Sequence, residues 1–128
     1  MGNINSIKNI KKINFEEMIL AINKNYIIIN TLDEKNQECL IKNTITPQEE
    51  VRILNEYINK TKNIFIIVYG KNNNDEKIFT KHQQLINLGF TNVYIYIGGL
   101  FEWLLLQEIY GDENFSTTSK ELDILKYK

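Results

Sequence analysis

Three unbroken runs of β-branched and aromatic residues constrain this chain most: Tyr26-Ile27-Ile28-Ile29-Asn30, Ile64-Phe65-Ile66-Ile67-Val68-Tyr69 and Val93-Tyr94-Ile95-Tyr96-Ile97. None alternates apolar with polar, as a strand with one wet face does. Such runs suit strands covered on both faces, the condition of a parallel sheet with helices above and below it. Helical segments lie between them. Asn14 reads as an N-cap with Glu17 as its capping-box partner, opening a helix over about 15–23 that lines up Phe15, Met18, Ile19 and Ile22. Thr46-Pro47-Gln48-Glu49 is the clearest helix start in the chain. Thr46 caps, Pro47 suits the first helical position, and Val51, Leu54 and Ile58 mark a buried face ending near Lys60. A third helix spans about Glu76 to Leu88 and stops at Gly89, and a short last one runs from Phe101 to Tyr110 and ends at Gly111. A weak extended piece sits around Thr44-Ile45. Alternation of this kind implies right-handed crossovers. The expected class is α/β: a mostly parallel sheet of about five strands, helices on both faces, and Ile64–Tyr69 in the centre.

Composition narrows the function classes. At 128 residues and 43% apolar, the chain can bury a core. A net charge of −1 argues against a protein that binds nucleic acid by neutralising phosphates. One cysteine and one histidine exclude a disulfide framework and the usual transition-metal clusters, so neither metal nor cofactor is expected. No apolar run approaches the roughly 20 residues that span a bilayer. The expectation is a reduced, cytoplasmic, single-domain protein. Residues 1–13 form a flexible basic arm, residues 14–111 the folded domain, and residues 112–128 a polar tail packed on it or trailing it, with Phe115, Leu122, Ile124, Leu125 and Tyr127 as apolar anchors.

In open parallel sheets, ligands bind beyond the carboxyl ends of the strands. The loop Gly70-Lys71-Asn72-Asn73-Asn74-Asp75 lies there, between the central strand and a helix, where backbone amides can cradle an anion. Its side chains argue the other way. Asp75 and Glu76 put negative charge at the helix start, and Lys71 and Lys77 only balance it.

The run Ile66-Ile67-Val68-Tyr69, a loop, a helix and then Leu88-Gly89-Phe90-Thr91-Asn92-Val93-Tyr94 resembles the second half of a rhodanese-like domain. So does Gly98-Gly99-Leu100-Phe101-Glu102-Trp103, which is similar to that family's Gly-Gly-x-x-x-Trp turn. Ile27-Ile28-Ile29-Asn30-Thr31 stands where the family has an apolar strand ending in Asp-x-Arg, and Ile41-Lys42-Asn43-Thr44-Ile45 where it has Gly-His-Ile-Pro-Gly-Ala-Ile. The resemblance covers about residues 13–110. It implies that a cysteine should follow the central strand and open a Cys-Arg-x-Gly-x-Arg loop, its thiolate carrying sulfur or, in related phosphatases, attacking phosphate. Here Gly70 stands at that position, the loop has no cysteine and no arginine, and the stretch from Gly70 to Gly89 is about two residues longer than is common. A thiolate is the nucleophile in this chemistry, and nothing in the loop replaces it.

The remaining candidates have plain readings. Cys39 maps to the start of the Gly-His-Ile segment and reads as an ordinary thiol. His82 falls on the stripe Ile78-His82-Leu85-Gly89 and reads as a packed histidine rather than a general base. Phe101, Trp103 and Leu104-Leu105-Leu106 read as a helix docked into the core, any exposed remainder being a partner surface. Met1-Gly2-Asn3-Ile4-Asn5-Ser6 fits the pattern for N-myristoylation at Gly2, and Lys8, Lys11 and Lys12 would supply the second membrane signal that one acyl chain needs. The expected function is a non-catalytic rhodanese-like binding or scaffolding module for an unknown protein partner, tethered to a membrane surface through Gly2. The rivals are a sulfurtransferase or phosphatase using an unorthodox nucleophile, such as Cys39 or a partner's cysteine, and an anion sensor using the Gly70–Asp75 loop.

Overall fold

The computed structural model describes residues 10–128. Gly2 and Lys8, the expected acylation site and one of its basic neighbours, lie outside the described residues. The sheet contains β1 (Lys11–Ile13), β2 (Ile27–Asn30), β3 (Phe65–Tyr69) and β4 (Asn92–Tyr96). Their spatial order is β1-β4-β3-β2, and every pair is parallel. The most apolar strand, β3, has a neighbour on each side, as its sequence predicts. Helices α1 (Phe15–Asn23), α2 (Pro47–Ile58), α3 (Lys77–Asn87) and α4 (Gly99–Tyr110) complete the α/β architecture.

The period-2 geometry of the strands divides the core into two layers. Ile28, Ile67, Tyr69 and Tyr96 face one side, where they pack with Met18, Ala21 and Ile22 of α1 and Leu100, Trp103 and Leu104 of α4. Ile29, Ile66, Val68, Val93 and Ile95 face the other, against Leu54 of α2 and Ile78 and Leu85 of α3. The two capping boxes form as read: Asn14 and Glu17 exchange bonds at α1, and Thr46 and Glu49 do so at α2. Lys81 of α3 reaches Glu50 of α2 at 2.7 Å and ties the two helices of that layer together. Gly89 adopts a positive φ of +102° after α3, the left-handed conformation expected there.

Three expectations change. The sheet has four strands among the described residues rather than about five, because the extended piece at Thr44 makes only an isolated parallel bridge to Ile28. The basic arm does not extend to residue 13: Lys11–Ile13 pair with Tyr94–Tyr96, and Ile13 is buried. The last helix starts two residues earlier than expected, at Gly99. The tail packs on the domain. Thr117 bridges Ile41 in the antiparallel sense, Phe115 and Tyr127 are buried, and Ile124–Tyr127 form a closing 3-10 turn.

Candidate functional site

The carboxyl ends of the strands bring together four segments: the end of β2 with Thr31, the loop Gly70–Asp75, the start of α4, and the tail. The six loop residues singled out in the sequence do form the turn between β3 and α3, and the hydrogen bonds within it decide what it can do.

Asp75 is the centre of the loop. One of its carboxylate oxygens, Oδ2, accepts the Lys71 amide at 3.0 Å and the Thr31 hydroxyl at 3.2 Å. The other, Oδ1, accepts the Lys77 amide at 3.0 Å, which sets the carboxylate at the amino end of α3, one residue before its N-cap Glu76. The loop therefore carries its own anion. The Asn74 amide is turned to the side-chain carbonyl of Asn72, and the Asp75 amide to the Asn72 backbone carbonyl.

Gly70 is buried and has no room for a side chain. A Cβ added there would come within 2.4 Å of Asp75 Oδ2 and 2.8 Å of both Ile78 Cγ2 and Thr31 Oγ1. The space a longer residue would need is filled by the carboxylate that organises the loop.

The amino end of α4 is also engaged. The amides of Leu100 and Phe101 donate to the carbonyls of Gly70 and Lys71, both at 2.9 Å, in place of any external acceptor. Gly99 allows this approach. It has a φ of +69°, and a Cβ there would lie 2.7 Å from Gly70 O and 2.9 Å from the Asn72 amide nitrogen. Behind it, Glu102 accepts the Tyr96 hydroxyl at 2.5 Å, and burial raises the phenol's pKa further above its ordinary value, with the carboxylate acting in the same direction.

The tail closes this end of the sheet. Asn72 Nδ2 donates to the Tyr127 carbonyl at 2.9 Å, which joins the loop to the closing turn. Upstream, the Thr118 and Ser119 hydroxyls both donate to the Glu38 carbonyl, and the Thr118 amide donates to the Leu40 carbonyl. Tyr127 is buried and its phenol is pushed up to about 12, first by burial and then by nearby acidic groups such as Glu121.

Cys39 lies beneath the tail rather than at the loop's Gly70 position. Its thiol is buried, donates to the Ser119 carbonyl at 3.3 Å, and is pushed above its ordinary pKa by that burial. These surroundings favour the thiol over the thiolate. His82 is buried on α3 with Ile78 and Leu85, and desolvation holds its imidazole below the usual value against an opposing hydrogen bond with the Val93 backbone. It is a packed side chain in this geometry. Trp103 is likewise core: its indole N–H donates to Ser116 O at 3.1 Å and its ring meets Tyr96 and Phe115 edge-on. No group of three or more His, Cys, Asp or Glu side chains among the described residues could hold a metal ion.

Sequence reading missed Thr31, Tyr69 and the tail as parts of this end of the sheet. Tyr69 is the clearest case. Its buried hydroxyl receives the Ile41 amide at 3.1 Å and lies 2.8 Å from the Thr44 hydroxyl, so the last strand residue anchors the crossover after β2. A polar atom at the end of an otherwise apolar strand was the available signal.

The fold and this loop define a small α/β domain whose would-be ligand end follows its central strand. A profile of the rhodanese-like domain family matches residues 29–106, and the chain belongs to that family. Solved structures share the fold at low identity. Ygr203w of Saccharomyces cerevisiae, described as a homologue of single-domain rhodanese and of the Cdc25 phosphatase catalytic domain, is 14% identical with a TM-score of 0.60, over 92% of this chain and 93% of that one. The BH2092 protein of Bacillus halodurans is 18% identical with a TM-score of 0.60, over 98% and 96%. The Alr3790 protein of Anabaena sp. is 18% identical with a TM-score of 0.55, over 73% and 86%. No curated protein matches the chain.

Proposed function

We propose that this chain is a non-catalytic rhodanese-like domain acting as a binding or scaffolding module for a protein partner. The observation that carries the reading is the Asp75 carboxylate, seated against Gly70 and bonded to the Lys71 and Lys77 amides. A family member that works through a thiolate needs a side chain at that position and donors free to meet an oxyanion. Here the position is glycine, its space is occupied, and the amides of Lys71 and Lys77 already hold an anion. The same carboxylate weighs against an anion sensor, because a second anion would have to displace it. Burial of Cys39 weighs against the unorthodox-nucleophile reading. A tether through Gly2 accompanies the proposal and rests on the Met-Gly-x-x-x-Ser pattern alone.

The test is an assay of purified protein for thiosulfate:cyanide sulfurtransferase and aryl-phosphatase activity, beside Cys39→Ser and Gly70→Trp variants. The expected outcome is turnover no greater than that of the variants. Turnover well above Gly70→Trp that survives Cys39→Ser overturns the reading, and turnover lost with Cys39→Ser assigns the nucleophile to Cys39.

A further inference from the structure

The α1 side of the sheet is incompletely covered at the end opposite the Gly70 loop. A groove of about 210 Å³ opens there, with Phe65, Ile67 and Tyr94 of the sheet among its lining, Leu20 of α1 on its wall and Ile13 of β1 at its margin. Its aromatic rings are already arranged. Phe65 stacks on Tyr26 at 4.7 Å between centroids and lies 6.1 Å from Tyr94 at a shallow angle. Phe65 is nevertheless 38% exposed and Leu20 55% exposed, which leaves ordered apolar surface facing water.

We propose that this groove is the docking site of residues 1–9 of the same chain, seated through Ile4 and Ile7. Position is the first argument. The segment joins the described structure beside the groove, where Lys11 opens β1 and its ammonium stands 5.5 Å from the centroid of the Tyr94 ring. Reach is the second. Nine extended residues span about 30 Å, whereas the floor from β4 to the start of β2 is two strand spacings, about 10 Å. Chemistry is the third. Residues 1–9 contain Ile4 and Ile7 and hold no acidic side chain, and the groove offers them a largely apolar lining whose two charges, Glu17 and Lys24, offset each other. An adjacent segment also loses little freedom on docking compared with a separate molecule, since it is held nearby at high effective concentration.

The experiment uses the full chain made in cells without N-myristoyltransferase, with isoleucine methyl groups labelled for NMR. The expected result is cross-peaks from the Ile4 and Ile7 methyls to the rings of Phe65 and Tyr94. Ile7→Asp should remove them and shift the Tyr26, Phe65 and Tyr94 ring signals. Leu20→Glu, on an exposed wall position, should remove the same cross-peaks with the other core signals unmoved. Ile4 and Ile7 methyls without ring contacts overturn the proposal. So do ring signals that move with protein concentration while sedimentation reports a dimer, since the occupant is then a second copy of the chain.

Discussion

Gly70 is held to glycine by its neighbours. A Cβ there would press on three side chains, so replacement by alanine should overpack the loop at a cost of about 1–3 kcal/mol. Asp75→Ala removes the nearest of the three and also the hydrogen bond to the Lys77 amide at the start of α3, whose loss by itself costs about 1 kcal/mol. The two changes should therefore be non-additive in urea unfolding, with Gly70→Ala milder in the Asp75→Ala background. Strict additivity would mean that the loop moves away from a Cβ without the carboxylate being involved. His82 makes a separate prediction. Its imidazole is held below its ordinary pKa, chiefly by burial, so the unfolded chain binds the proton at a higher pH than the folded one. The associated stability is then present above the unfolded value of about 6.5 and is lost as pH falls from there toward the depressed native value. Urea midpoints at pH 7.5 and pH 5.5 should differ less in His82→Gln than in the wild type. An equal drop in both would assign the loss to carboxylates. Much of this was legible from the residues: the glycine that follows the most apolar strand and the helical stripe of His82 were both plain. The role of Asp75 was only half legible. Its charge was read as repelling an anion, whereas the carboxylate is itself the anion that the loop binds, a fact that depends on the path of the backbone.

Among the elements, those with strong local signals formed as read, and those defined by distant partners did not. The caps of α1 and α2 are written in four consecutive residues each, and Thr46→Ala should cost about 1 kcal/mol in thermal or urea unfolding. No loss would show that water replaces the threonine oxygen at full value. β1 was invisible because Lys11 and Lys12 are exposed and only Ile13 is buried, so three residues of edge strand look like basic arm. The Thr44 piece promised a strand and provides one bridge, with the Tyr69 hydroxyl serving as an anchor instead. The tail is the extreme case. Leu40 and Thr118 are hydrogen-bonded across 78 positions, a pairing that no local pattern announces. Its contribution can be read from the thiol beneath it. Truncation after Asn114 should make Cys39 react rapidly with a chromogenic disulfide, while the full chain reacts slowly under native conditions. Slow reaction in the truncated protein, with the fold retained by circular dichroism, would show that the tail is not what shields the thiol.

For the molecule as a whole, the family and the parallel α/β layering were legible because each buried strand is a continuous apolar run. What the domain meets is a question for surfaces. No helix among the described residues is long and apolar enough to cross a membrane, and the proposed acyl group is the attachment that can be tested directly. Expressed with N-myristoyltransferase, a fraction of the protein should sediment with membranes. That fraction should fall on Gly2→Ala and fall partly when Lys8, Lys11 and Lys12 are neutralised or salt is raised. An unchanged distribution and no acyl adduct by mass spectrometry would remove the tether from the proposal. The pairing of β1 with β4 has a further consequence, for synthesis on the ribosome. The first strand made has no neighbour until the last strand emerges some eighty residues later, and until then β3, the most apolar strand, shows one bare edge. A nascent chain stalled before Asn92 would thus present an open template for strand addition by other chains. The sheet closes only once Asn92–Tyr96 has been delivered, so the yield of the domain in a cell should depend on how quickly that stretch follows β3.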